Sequence, residues 1–215
     1  MYFEYGSLEI EYLTKKDNNI AMAIIHYGHI YREVEKDIFK ALIKNILSQQ
    51  ISSKAYETIL NKFIDLTKDF DKKRLLTIDE NDYRKCGISK RKEEYIKTII
   101  SQKYIYGYDF DALKNLSDDE VIDALIKFPG VGKWTAQMTL IFSLERKDIL
   151  AADDFGIRKG LSMMYGVDIN DRITIKKFKN MFSPYSTIAS FYIWEIAMDK
   201  ELNKWYINGD VQSIF

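Results

Sequence analysis

Residues 128–138, FPGVGKWTAQM, place Pro129, Gly130 and Gly132 just ahead of Lys133 and Trp134, where a helix is expected to begin. Glycines let backbone come close to a ligand, and the first amides of a helix point outward without intrahelical partners. With the positive end of the helix dipole these amides make an anion site. A nucleotide-binding loop would need four residues between its glycines followed by Gly-Lys-Ser/Thr, or a G-x-G-x-x-G turn after a strand. Here the glycines follow a helical segment and Lys133 precedes a tryptophan, which disfavours a mononucleotide. These donors suit one phosphate of a DNA strand, gripped irrespective of base, with Lys133 as a supplementary cation. For Pro-Gly-Val-Gly taken alone, an ordinary tight interhelical turn is an equally good account. A second candidate is Asp153-Asp154, just before another helical run. An aspartate at a helix start is kept ionised by the amides and dipole, and plain capping needs only one of the two.

The elements that must position these residues are helical. Apolar residues recur at three and four from Asp37 to Leu66 (Ile38, Leu42, Ile46, then Ile59, Phe63, Leu66), with a polar break at residues 48–53, SQQISS. A helix ends at Gly87, and Ser89 caps the next, which carries Tyr95, Ile96, Ile99 and Ile100. Ser117-Asp-Asp-Glu120 reads as a capping box for a helix ending at Pro129-Gly130, and a second helix follows from about Lys133 to Leu144 with Trp134, Met138, Ile141 and Phe142 on its apolar stripe. Residues 148–152 form an extended connector, Phe155 to Tyr165 a helix closed by Gly166, and the last helices cover roughly Lys176 to Met181 and Ser186 to Asn203. No linker, repeat or low-complexity tract interrupts this pattern.

Composition bounds the class. Of 215 residues, 47% are hydrophobic, enough for a real core, while only two prolines and ten glycines argue for helix over a turn-rich sandwich. Net charge is zero, so bulk electrostatics favours no polyanion; the charge is instead polarised, basic between Arg84 and Lys103 and acidic between Asp109 and Asp123. A single cysteine, Cys86, excludes an internal disulfide and a four-cysteine iron–sulfur or zinc site, and reads as inert packing. His26 and His29 lack a nearby carboxylate or cysteine and read as surface or capping residues, not as a metal pair. Asn115-Leu-Ser117 matches a glycosylation acceptor that a cytoplasmic protein does not use. The N-terminus has no basic start followed by an apolar core, and no run of about 18 apolar residues occurs, so a soluble cytoplasmic protein without membrane association is expected.

Five stretches together carry a resemblance: residues 47–53 (LSQQISS), 86–92 (CGISKRK), 125–136 (LIKFPGVGKWTA), 151–155 (AADDF), and 183–186 (SPYS) with Trp194. In this order, over roughly residues 35–200, they resemble the helix-hairpin-helix (HhH-GPD) DNA glycosylases, in the branch of the bacterial inducible 3-methyladenine DNA glycosylases. The resemblance implies an all-α fold of two lobes with the DNA cleft between them. A central bundle (38–146) carries the hairpin, and a second lobe comes from both chain ends (1–37 plus 147–215). The β-rich N-terminal domain of larger relatives has no room here; Tyr2, Phe3 and Tyr5 are candidate substitutes for any pocket wall it supplies.

The same resemblance makes Asp154 the catalytic carboxylate. Breaking the bond from deoxyribose to a base builds oxocarbenium character on the sugar, and a carboxylate beside it stabilises that charge or activates a water. Trp134 and Trp194 are then aromatic walls for the flipped base, since N-alkylation puts positive charge on a purine and an indole face attracts it. Met138 stands four residues after Trp134, where relatives hold an aromatic, and suits a less selective pocket. Gln50 matches the place from which the family inserts a side chain into the DNA stack. Gly130, Gly132, Lys133 and Thr135 face DNA, and backbone carbonyls of Ile126, Phe128 and Val131 would hold a structural Na+ or K+. No cofactor is required and no iron–sulfur cluster is expected. Strand-cutting members carry a Schiff-base lysine two residues after the second hairpin glycine. That position is Trp134, and Lys133, one helical step of about 100° away, points elsewhere. The expectation is therefore a monomeric, nucleoid-associated, monofunctional N-glycosylase of base-excision repair that acts on double-stranded DNA containing alkylated purines of 3-methyladenine or 7-methylguanine type. The alternatives are a glycosylase for oxidised or deaminated purines and a non-catalytic module that recognises damaged DNA.

Overall fold

A computed structural model describes residues 1–202. Among them the chain runs α1 (Ser7–Lys16), α2 (Asn18–Tyr27), α3 (Ile38–Ser48), α4 (Ser53–Thr67), α5 (Lys72–Thr77), α6 (Glu80–Cys86), α7 (Lys90–Tyr104), a 3-10 turn (Asp111–Asn115), α8 (Asp118–Leu125), α9 (Lys133–Phe142), α10 (Phe155–Tyr165), α11 (Arg172–Phe182) and α12 (Ser186–Met198). The described residues hold no strand, only an isolated antiparallel bridge between Tyr2 and Glu33, so the all-helical expectation holds. The chain divides into two compact units, Glu35–Leu144 and, from both ends, Met1–Val34 with the chain from Glu145 on.

In the Glu35–Leu144 unit, α3 is the axis. Its period of three and four buries Phe39, Leu42, Ile43 and Ile46 completely, and it packs against α7 and α9. Side-chain caps set the starts: Asp37 for α3, Ser52 for α4, and Ser89 for α7, two residues after the left-handed Gly87 that ends α6. Cys86 lies buried at that helix end, and burial pushes its thiol above the usual range.

The reciprocal capping box of Ser117 and Glu120 starts α8. Unlike the expectation, α8 stops at Leu125, four residues before Pro129. The chain instead closes two tight turns, Phe128 N–H to Leu125 C=O and Val131 N–H to Phe128 C=O, both 3.0 Å. The residue before a proline, here Phe128, is pushed out of the helical region, so the chain cannot continue α8 to Pro129.

In the other unit α12 is buried on nearly every side, with Ile188, Ala189, Phe191, Tyr192, Ile193 and Ile196 fully enclosed, and it packs against α10 and α2. The approach to α10 is so close that a Cβ on Gly160 would lie 2.3 Å from the carbonyl oxygen of Ile193. Asp148 in the connector starts α12 from outside: its carboxylate accepts from the Ser186 amide (3.2 Å) and hydroxyl (2.6 Å). Two expected bounds shift. The next-to-last helix begins at Arg172 rather than Lys176, because Asp171 accepts from the amides of Ile173 and Thr174. The last ends at Met198, where Asp199 accepts from the amides of Glu201 and Leu202; Asn203 lies outside the described residues.

Candidate functional site

The two expected clusters fall one in each unit. In the first, Asp154 is the N-cap of α10. Its Oδ1 accepts the amide N–H of Ile157 at 3.0 Å and the indole N–H of Trp194 at 2.9 Å. The first bond follows from local sequence; the second joins residues 40 positions apart and depends on the packing of α10 against α12. Asp153 is exposed and pairs with Arg172 (3.3 Å). The two adjacent acids thus have separate partners, and Asp154 is the one tied to an aromatic side chain.

Close approach is what lets Trp194 reach that carboxylate. A Cβ on Gly156 would stand 2.7 Å from Trp194 Cδ1, 3.2 Å from its Nε1 and 3.1 Å from Asp154 Oδ1. The indole therefore lies across the first turn of α10, in the space that glycine leaves empty. The indole also stacks on Phe191 at 6.3 Å and 24°. Phe191 is in turn edge-packed by buried Phe3 at 5.1 Å and neighboured by Tyr5 at 6.0 Å. The Tyr5 hydroxyl donates to the carbonyl of Ile30 and accepts from its amide. Of the N-terminal aromatics, Phe3 and Tyr5 thus back the ring on which Trp194 stacks, while Tyr2 is exposed against Tyr31. The histidines join aromatic contacts, His29 stacked on Tyr5 and His26 edge-on to Tyr27. Among the described residues no group of three His, Cys, Asp or Glu is arranged to hold a metal.

The second cluster is the hairpin. Gly130 adopts φ +82°, and a Cβ there would sit 2.1 Å from the Tyr95 ring, so glycine is required twice over. Gly132 has ordinary extended backbone and caps α9 without a side chain; nothing lies within 4 Å of where its Cβ would be. That leaves the start of α9 open to an approaching anion, with Lys133 exposed beside it. Thr135, expected at DNA, is only 3% exposed, and its hydroxyl lies 3.4 Å from the side-chain nitrogen of Gln49. Its side chain belongs to the packing, and only its amide faces the helix start. Trp134 is half-buried and Met138 is buried in α9.

The three hairpin carbonyls are neutral, hard oxygen donors of the kind an alkali cation takes. Phe128 already spends one lone pair on Val131 N–H, and Ile126 is the C-cap residue just past α8, where carbonyls lack a helical partner.

Gln50 is exposed at the corner between α3 and α4 with φ +58°, a conformation rare for a non-glycine residue. Sequence reasoning missed its supports. The Gln49 amide donates to the Gly130 carbonyl at 2.9 Å, and Lys92 Nζ donates to the carbonyls of Leu47 and Gln49, both at 2.7 Å. Burial holds the Lys92 ammonium below its usual range. Beside these lies a hollow of about 140 Å³ lined by Gln49, Gln50, Ser89, Arg91, Lys92, Tyr95 and Gly130. Nothing local distinguishes Gln49 from Gln50. Gly156 did carry a signal, since a glycine inside a helical run marks a close approach.

Comparisons with known proteins show the family. Residues 43–184 match the family model of the HhH-GPD superfamily base excision DNA repair proteins. The DNA-3-methyladenine glycosylase 1 of Schizosaccharomyces pombe is 32% identical over 167 residues, 75% of this chain and 73% of that protein. Among solved structures, the 3-methyladenine DNA glycosylase of S. pombe in complex with abasic DNA superimposes with a TM-score of 0.81 at 29% identity, covering 91% of this chain and 98% of that one. The DNA-3-methyladenine glycosidase of Bacillus halodurans gives 0.78 at 29% identity and 92% coverage of both chains. With its hairpin, its capped aspartate and a family match spanning most of its length, the chain belongs to the HhH-GPD superfamily of base excision DNA repair proteins.

Proposed function

We propose that the protein is a monofunctional DNA N-glycosylase that hydrolyses the N-glycosidic bond of alkylated purines, of 3-methyladenine or 7-methylguanine type, and leaves an abasic site. The observation that carries this reading is the Asp154 carboxylate, seated at the start of α10 with two N–H donors on one oxygen. Such donors fix a carboxylate in place, and a fixed carboxylate is the group that stabilises an oxocarbenium-like sugar or polarises a water. The similar proteins named as 3-methyladenine glycosylases support the alkylated-purine class. The neighbour solved on abasic DNA supports DNA as the partner.

In this mechanism the flipped base stacks on the indole faces of Trp134 and Trp194, which attract the cationic damaged ring. Trp194 also steadies the carboxylate through its N–H. Gln50 fills the gap in the duplex, and the amides at the start of α9 with Lys133 hold one phosphate. A Na+ or K+ on the carbonyls of Ile126, Phe128 and Val131 would add a positive charge beside that phosphate. With Trp134 at the position of the strand-cutting lysine, water completes the reaction, the strand stays intact and the enzyme acts as a monomer.

Asp154→Asn tests the reading. Asparagine keeps an oxygen for Ile157 and Trp194 but removes the charge and turns the second oxygen into an NH2 donor. Base release from methylated DNA should fall by about 10² to 10³-fold or more while binding to abasic DNA persists. Undiminished release would refute the role of Asp154. A covalent protein–DNA adduct trapped by borohydride would refute the monofunctional assignment.

A further inference from the structure

We propose that Lys92 is a positioning residue that locks the Gln50 corner to the DNA-gripping hairpin, so that the inserted side chain and the phosphate grip act as one rigid piece. The proposal rests on the reading of Gln50 as the residue that enters the duplex. It starts from the placement of Lys92, which belongs to the most basic run of the chain yet turns inward. Lys90 and Arg91 are exposed, whereas Lys92 is half-buried and gives two donors to peptide carbonyls at 2.7 Å each.

Those carbonyls are the ones α3 leaves open as it ends. Leu47 lies in its last turn and Gln49 is its C-cap. A lysine ammonium satisfies both and suits the negative end of the helix dipole. Gln49 is thereby held from two sides, its main chain by Lys92 of α7 and its side chain by the Gly130 carbonyl of the hairpin. The next residue is Gln50, whose left-handed backbone persists only where the surroundings hold it. The Tyr95 ring, packed where a Gly130 Cβ would go, closes the same assembly from α7.

Pushing a side chain into a base stack does work only if the corner that carries it does not recoil from the point where the strand is gripped. Lys92→Met keeps the length and apolar stem of the side chain and removes both hydrogen bonds. The test compares single-turnover base release on two substrates. One is duplex DNA with a paired methylated purine, and the other is the same lesion opposite a one-nucleotide gap, where no pair must be broken. Lys92→Met should slow the paired substrate by about tenfold or more and the gapped one by less than about twofold. In a Gln50→Ala background it should add no further loss on the paired substrate. The salt dependence of binding to undamaged duplex should be unchanged, because Lys92 holds carbonyls and not a phosphate.

Equal slowing on both substrates, no slowing on either, additivity with Gln50→Ala or a shallower salt slope would each overturn the proposal. Should Lys92→Met not fold, Lys92→Arg carries the same comparison, since a planar guanidinium cannot reproduce the compact two-carbonyl contact. Wild-type protein that releases no base from either substrate would instead overturn the glycosylase reading.

Discussion

Replacing Gly156 with alanine adds one methyl group at the second residue of α10 and separates stability from function. Alanine is the better helix former by up to about 1 kcal/mol in a helix interior, and no left-handed backbone stands in its way. Against that gain, the new Cβ would meet Trp194 Cδ1 at 2.7 Å and Asp154 Oδ1 at 3.1 Å, where ordinary contact begins at 3.4 Å. The indole is a rigid ring stacked on buried Phe191, so it must move as a body. Withdrawing it by the amount the methyl demands stretches the 2.9 Å bond to Asp154 beyond hydrogen-bonding range. A hydrogen bond to a charged group contributes about 1.5 to 3 kcal/mol, which corresponds to about 10 to 150-fold in rate if the bond acts in the transition state. Gly156→Ala should therefore unfold within a few degrees of the wild type but release base from methylated DNA at least about tenfold more slowly under single-turnover conditions. Trp194→Phe, which keeps an aromatic face but loses the donor and part of the ring, should show a rate defect at least as large. Wild-type rates for both variants would refute the claim that this hydrogen bond supports the reaction. A Gly156→Ala protein that fails to fold would refute the balance of helix gain against local clash.

Two further perturbations probe the scaffold. Gly130→Ala forces a side chain into φ +82° and against the Tyr95 ring, so it should cost about 2 kcal/mol or more and weaken DNA binding; adding Tyr95→Ala should restore part of the stability, as read by thermal unfolding. Burial alone would raise the Asp148 carboxyl, but the hydroxyls of Ser186 and Ser183 and the Lys179 ammonium outweigh it and hold it below the usual 3.8. Its contribution is thus fully present above that value and lost as pH falls through the lower folded one. Asp148→Asn should cost about 1 kcal/mol at neutral pH, discounted for partial exposure, and the gap to wild type should close under acid; a gap constant with pH would refute the charge-based account.

Much of the helical framework was legible because its signals act within a turn or two. Ser89 and Ser117 cap where their spacing to later residues predicts, and α10 runs from Phe155 to Tyr165 and ends at Gly166, as read from the sequence. The hairpin and the start of α9 at Lys133 were equally visible, since two glycines around one residue leave the chain few other conformations. Less legible were boundaries decided by competing local bonds, as at Leu125 and Arg172, where a pre-proline turn and an aspartate cap moved the ends by about one helical turn. Local signals thus set which helices form, where the anion-facing glycines lie, and that a pair of carboxylates opens α10. Helix packing selects which of Asp153 and Asp154 meets an indole, which of Gln49 and Gln50 is turned outward, and that Lys92 serves the protein's own carbonyls. Each of these choices rests on a hydrogen bond between residues far apart in sequence, and such bonds exist only once helices have packed closely enough to bring donor and acceptor together, as Gly156 and Gly160 allow for α10 against α12.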